Sequence, residues 1–376
     1  MLTRKPKRKS WIGRFAALVI SFLLLPALSK AGSLVYNVID LGVLPGGTSS
    51  AAAGISSNGA VTGFGDSAAA VSQPFLWTSV SGLSAVDAGS LFAFGAGINA
   101  SATVVGYGFS SDFSTYSAFI IDGSTNTSIP TLPGGSNNAA TAINDSGTVV
   151  GYSNDASGAI IGFSYASHTL TSLGTLPGGT TSQANAINAS GTIVGQADGF
   201  DGLLHAVVAS GGNWADLGVL AGYQSSFASA ISNNGFISGT LNDGSGGTMA
   251  FLWQSGSMSA LGALLPGGDS RAYGVNSAGV VVGSSDGTAF LYDNTGMHDL
   301  NGLLSPTSAW LFTEADAIND SGQIAAIGFY GGQQHAFLLD PVSTPEPATL
   351  PLLCGALLLL AAGELRHFQF RKAVKR

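Results

Sequence analysis

One phrase recurs along this chain at a nearly constant interval. Its clearest copy is Ala142-Ile143-Asn144-Asp145-Ser146-Gly147-Thr148-Val149-Val150-Gly151. The place of Ile143 is taken elsewhere by Ile55, Ile98, Ile187, Ile231, Val275 and Ile318, so successive spacings are 43, 45, 44, 44, 44 and 43. A second phrase, Ala-Phe followed by apolar residues, sets Phe75, Phe119, Phe163, Val207, Phe251, Phe290 and Phe337 in the same register. A third, Leu-Pro-Gly-Gly, starts at Leu44, Leu132, Leu176 and Leu265, with weaker versions at Leu220 and Leu304. A chain written this way folds as seven copies of one small unit, each covering the apolar face of its neighbour.

Each copy reads as four short strands. The first alternates small and apolar residues, as in Ser182–Ile187, and Asn-x-Ser-Gly turns it back with glycine in the left-handed position. The second is Thr192–Gly195, the third the phrase Ala250–Trp253, and the fourth the Asp-Leu-Gly phrase, as in Asp216–Gly218. Pro-Gly-Gly suits a type II turn into the next copy. No part of the body shows a helical period. Four strands per repeat, seven times over, predict an all-β, seven-bladed β-propeller, with a β-solenoid of the same period as the alternative. The Ala- and Gly-rich first strand belongs innermost, where a channel is narrow. The chain order also predicts how the ring closes. Tyr36–Gly42 is a fourth strand with no copy before it, and the last copy stops after Ala336–Leu339. Pairing the two would leave no open sheet edge.

Composition narrows the function. Glycine makes up 54 of 376 residues, hydrophobic residues 45% and charged residues 9%, which excludes both long solvated helices and a disordered chain. Between Gly32 and Thr344 there is one cation, Arg271, against 18 aspartates and Glu314, a formal charge of 1 − 19 = −18. Such a surface repels phosphate backbones, so no nucleic-acid partner is expected. The single cysteine, Cys354, lies outside the repeats, so packing alone must hold the body.

The remaining basic residues lie at the two ends. Residues 1–31 read as a signal peptide: a basic region from Arg4 to Arg14, an apolar run Phe15–Leu28, and a cleavage site at Ser29-Lys30-Ala31. Residues 32–340 hold the repeats. Residues 341–376 contain Pro345-Glu346-Pro347, an apolar transmembrane segment at 350–363, and a basic tail of Arg366, Arg371, Lys372, Lys375 and Arg376. These three parts, in that order, resemble the PEP-CTERM sorting signal. The resemblance implies a Gram-negative, exopolysaccharide-producing host and removal of the tail by an exosortase. The expected path is through the Sec machinery and signal peptidase across the inner membrane. Transient anchoring and release to the cell surface or extracellular matrix follow.

The repeat phrases resemble the HAF-type extracellular repeat family, on His335-Ala336-Phe337. Other copies depart from it, as in Gln73-Pro74-Phe75, Met249-Ala250-Phe251 and His205-Ala206-Val207. That resemblance implies an exported repeat protein and no particular reaction. No residue set reads as catalytic. Gly283-Ser284-Ser285-Asp286-Gly287 matches the hydrolase elbow only in letters, since no strand-to-helix turn surrounds it. One feature stands out: Asp66, Asp112, Asp155, Asp198, Asp243 and Asp286 occupy the loop after the second strand in six of seven copies. They would sit around one face, either as turn formers or as weak Ca²⁺ sites; no other cofactor is expected. The functional expectation is a non-catalytic surface or matrix scaffold that binds exopolysaccharide or a surface protein. The alternatives are a glycan-active enzyme or a purely structural matrix component.

Overall fold

The computed structural model describes residues 35–342, apart from 69–70 and 306–308. The expected signal peptide, Pro345-Glu346-Pro347 and the segment 350–363 lie outside the described residues. Tyr36–Val342 forms seven four-stranded antiparallel sheets. Six are built from consecutive strands; the third blade, for instance, runs Asn138–Ile143, Val149–Asn154, Ile160–Ala166 and Thr169–Ser172, in that spatial order. We number the blades 50–85, 92–128, 138–172, 182–216, 225–262, 270–299 and 311–342. The seventh takes its fourth strand from the other end of the body: its order is Val35–Gly42, Gln333–Val342, Ile324–Tyr330, Leu311–Ile318. The chain is therefore a closed seven-bladed propeller rather than a solenoid, shut by the strand the sequence singled out.

Strand limits differ from expectation in places. The second strand of the fourth blade is Ile193–Asp198, longer than Thr192–Gly195, and its fourth strand is Trp214–Asp216, ending where Asp216–Gly218 was expected to begin. The reason is local. Asp216 accepts a hydrogen bond from the Gly218 amide (2.7 Å) and Gly218 has φ 79°, so the Asp-Leu-Gly phrase turns the chain out of the sheet. The other turns form as read. Gly47, Gly135, Gly179 and Gly268 each donate to the carbonyl of the leucine three residues earlier (2.9–3.1 Å), closing the turn that proline begins.

Each blade packs through the second and third strands. The buried phenylalanine of the third strand lies opposite the glycine of Val-Val-Gly: Phe163 pairs with Gly151, Phe251 with Gly239, Phe290 with Gly283. A Cβ on these glycines would run into a carbonyl oxygen of the innermost strand, which bulges past them at this point. The bulge and the missing side chain are thus one device, letting three strands approach around a bulky ring.

Two belts of side-chain hydrogen bonds join blade to blade. In the first, the buried residue opening an innermost strand accepts from an amide in the third strand of the preceding blade. Ser182 accepts from Gly162, Ser226 from Ala206, Ser270 from Ala250 and, across the closure, Ser50 from Ala336, at 2.8–2.9 Å. The second belt lies at the turns between first and second strands, which open on asparagine in five blades. The amides of Asn99, Asn144, Asn188, Asn276 and Asn319 donate to the backbone carbonyls of Asn144, Asn188, Ser232, Asn319 and Ser56 in the following blade (3.1–3.4 Å). Two turns read Ser-x-Asn-Gly instead, and there Asn58 donates to Ala100 O (2.8 Å) and Asn234 to Ser277 O (2.7 Å). Every junction carries one such bond, whichever turn position holds the asparagine.

Candidate ligand-binding face

Strand direction gives the propeller two unlike faces. The Asn-x-Ser-Gly turns crowd one end of the axial channel. There a cavity of about 170 Å³ is ringed by the repeat isoleucines and asparagines. Polar bridges span it: Ser57 Oγ lies 3.3 Å from Asp145 Oδ2, and Asn233 Nδ2 lies 3.3 Å from Asp320 Oδ2. The opposite face, called the loop face here, carries the Leu-Pro-Gly-Gly loops and the loops after the second strands, including all six expected aspartates.

Those six fall into two groups. Asp66, Asp198 and Asp286 end or directly follow their second strands and reach across to the loop entering the same blade. Asp66 accepts from the Thr48 amide and hydroxyl (2.9 and 2.7 Å) and from Ser49, and Asp198 repeats this with Thr180 and Thr181. Asp286 accepts from the Asp269 amide (3.1 Å). In the third blade Asn154 takes this place, accepting from the Ser136 and Asn137 amides. Asp112, Asp155 and Asp243 stand later in their loops and cap them locally, accepting from Ser114, Ser157 and Ser245. The six are spread one to a blade, and among the described residues no three His, Cys, Asp or Glu side chains gather to hold a metal ion. Their oxygens point at amides and hydroxyls of their own blade.

This bonding sets how they titrate. For Asp66, partial burial opposes ionisation, but four bonds from Thr48 and Ser49 outweigh it and bring the carboxyl down to about 2. Hydroxyls of Ser110 and Ser114 lower Asp112 to about 2 as well, and Asp155, Asp198 and Asp243 are lowered in the same way. A folded-state value below the unfolded one gives stability that is complete above the unfolded value, roughly pH 4, and lost as pH falls toward 2. We expect the melting temperature to fall between pH 4 and 2, and a variant carrying Asp66→Asn and Asp198→Asn to lose less over that interval. Parallel curves for the two proteins, from thermal melts in a pH series, would contradict this.

The feature sequence reasoning missed lies between the sixth and seventh blades. Arg271 and Glu314, the only arginine and only glutamate among the described residues, are 43 apart and occupy the same position of adjacent innermost strands. Two residues on, Tyr273 and Asp316 again share one position, the residue that each bulge leaves unpaired. Arg271, Tyr273 and Glu314 line a pocket of about 300 Å³ opening at the loop face, with Thr248, Asp269 and Asp286 at its rim. Asp269 and Asp286 are tied to the amides of Thr248 and Asp269. Asp316 is different. Its side chain keeps a little exposure overall, but Oδ2 is buried with no hydrogen-bond partner. Burial first, and then the neighbouring Glu314 carboxylate, hold its carboxyl well above the usual range. Burial likewise raises the Tyr273 hydroxyl; Glu314 adds to this and Arg271 opposes it.

The same strand position that holds Arg271 and Glu314 carries Phe94 in the second blade, where it joins Tyr107, Phe109, Tyr116 and the exposed Phe113 in one cluster of rings. The histidine that opens the Ala-Phe phrase is structural in both copies that have it. His205 Nδ1 meets Asp216 Oδ2 at 2.8 Å and His335 Nδ1 meets Asp40 Oδ1 at 2.9 Å, each linking a third strand to a fourth. Ser284 and Ser285 of the elbow-like phrase are strand residues whose hydroxyls donate to Thr313 O and Asp269 O.

No family model and no curated protein sequence matches the chain. Solved propellers are similar in fold. The fungal Aleuria aurantia lectin, six-bladed, is 12% identical over 79% of this chain and 97% of that one, at a TM-score of 0.36. A Xanthomonas campestris gluconolactonase is 10% identical over 84% and 93%, at 0.39. The β-propeller domain of the Trilobed protease from Pyrococcus furiosus is 8% identical over 79% and 96%, at 0.49. Likenesses of this order speak to architecture alone.

Proposed function

We propose that the mature chain is an exported, non-catalytic surface or extracellular-matrix protein that binds a glycan, such as exopolysaccharide, through its loop face. One observation carries the reading. On a scaffold whose repeats favour small, apolar and amide side chains, Arg271 and Glu314 converge on one open pocket of that face. Neither is a buried core side chain, and each departs from what the repeat supplies elsewhere. The export path is part of the proposal: Sec machinery and signal peptidase at one end, an exosortase acting at Pro345-Glu346-Pro347 at the other. Weak Ca²⁺ binding at the six loop aspartates belongs to it too, on the order of 10⁻⁴ to 10⁻³ M. It would have to compete with the amide bonds described above, and thermal melts in millimolar Ca²⁺ read it directly by linkage.

A second reading, a glycan-active enzyme, is favoured by one detail. Glu314 stands beside Asp316, whose carboxyl burial holds well above the usual range, and two carboxyls in unlike surroundings are what glycoside cleavage divides between acid and base. Both readings are tested together by presenting the purified full chain with a glycan array and following reducing-sugar release. Retention without release is the expected result. Release of reducing ends moves the chain to the enzymes, and neither retention nor release leaves it a structural component.

A further inference from the structure

We infer that the pocket between the sixth and seventh blades takes one neutral, hydroxyl-rich sugar residue, held by Arg271, Tyr273 and Glu314. The inference rests on the glycan-binding reading above and says which residues and which sugar chemistry are involved. The argument is one of matching donors to acceptors. Asp269 and Asp286 are committed to backbone amides, so the groups left for a ligand are a guanidinium, a phenol and a carboxylate. A hydroxyl both donates and accepts, so a run of them can give hydrogens to Glu314 while accepting from Arg271 and Tyr273.

Charged ligands match less well. An anion would meet Glu314, Asp269 and Asp286 against one arginine, in a body whose formal charge is strongly negative. A metal ion would meet Arg271, and among the described residues no three His, Cys, Asp or Glu side chains stand close enough together to hold one. The volume, about 300 Å³, lies at the small end of ligand pockets, roughly 300–1,000 Å³, and suits a single ring better than an extended peptide. The half-buried Tyr273 ring offers an apolar wall to the C–H face of a sugar, as aromatic residues do in such sites.

The test uses the full chain and its Glu314→Gln and Arg271→Gln variants, each checked for an unaltered melting temperature. They are titrated with neutral glycans and with their uronate-containing counterparts. Glu314→Gln keeps the size of the group it replaces, and Arg271→Gln shortens an exposed side chain, so folding should survive. Wild type should prefer the neutral set, with affinity falling about tenfold or more in Glu314→Gln and Arg271→Gln. If wild type binds neutral glycans and both variants stay within twofold of it, the pocket assignment is wrong while the glycan reading stands. Preference for uronates overturns the sugar class, and failure of wild type to bind any glycan overturns both.

Discussion

Deleting Val35–Gly42 should destabilise the propeller by about 5 kcal/mol or more, read as the shift of the urea unfolding midpoint. The strand carries Tyr36 (1% exposed) and Leu41 (5%), which pack in different clusters, one with Phe312 and Phe337, the other with Phe75 and Trp77. Losing a buried aromatic and a buried leucine costs roughly 2–5 kcal/mol each. Their removal also bares the Gln333–Val342 strand, whose amides and carbonyls then lack partners. A truncated protein that unfolds at the wild-type urea concentration would show that closure contributes nothing, against the topology.

A single methyl group should do comparable damage at Gly239. Its Cβ would meet the Phe227 carbonyl oxygen and lie 2.8 Å from two atoms of the Phe251 ring. Backbone and a fully buried ring cannot both yield. Overpacking typically costs about 1–3 kcal/mol, and displacing the Phe227 carbonyl from its ladder adds roughly another 1 kcal/mol. Gly239→Ala is therefore expected near 3 kcal/mol or above. Gly147→Ala makes a fair comparison, because φ is 81° there and a Cβ would meet nothing within 4 Å. Only the left-handed backbone is strained at that turn, at roughly 1–2 kcal/mol. Equal losses in the two variants, measured by denaturant titration, would mean the close approach of strands is not what the glycine serves. The seventh blade supplies a natural control. It carries Ala326 at this position, and its innermost strand has a second register shift, between Phe312 and Glu314, found in none of the other blades.

That irregularity also marks where the sequence stopped being readable. The repeat spacing was enough to predict strands, blade number and the closing pair, because each depends on periodicity and turn chemistry. The loop aspartates were visible as a group, but their division was not. Asp66 and Asp155 differ by a single step along the strand end, and that step decides whether a carboxylate reaches the neighbouring loop or caps its own. The Arg271 pocket was legible in principle. Both residues were conspicuous as the body's only ones of their kind, and 43 residues is the repeat interval, so the same counting that aligned Val275 with Ile318 places them side by side. What counting could not supply was depth: that Asp316 Oδ2 is enclosed without a partner goes with the bulge that leaves this residue unpaired in the sheet.

The seam between Val35–Gly42 and Gln333–Val342 also has a consequence in time. The six internally paired blades can form in succession as the chain emerges, since their strands are neighbours in sequence. The closing sheet cannot, because its first strand must wait for one nearly three hundred residues later. Contacts so distant along the chain are slow to form. During that interval Tyr36 and Leu41 stay uncovered, and the ring is a horseshoe with two reactive edges. Whatever holds the newly made chain meets that horseshoe first, and the finished ring only after the last strand has arrived.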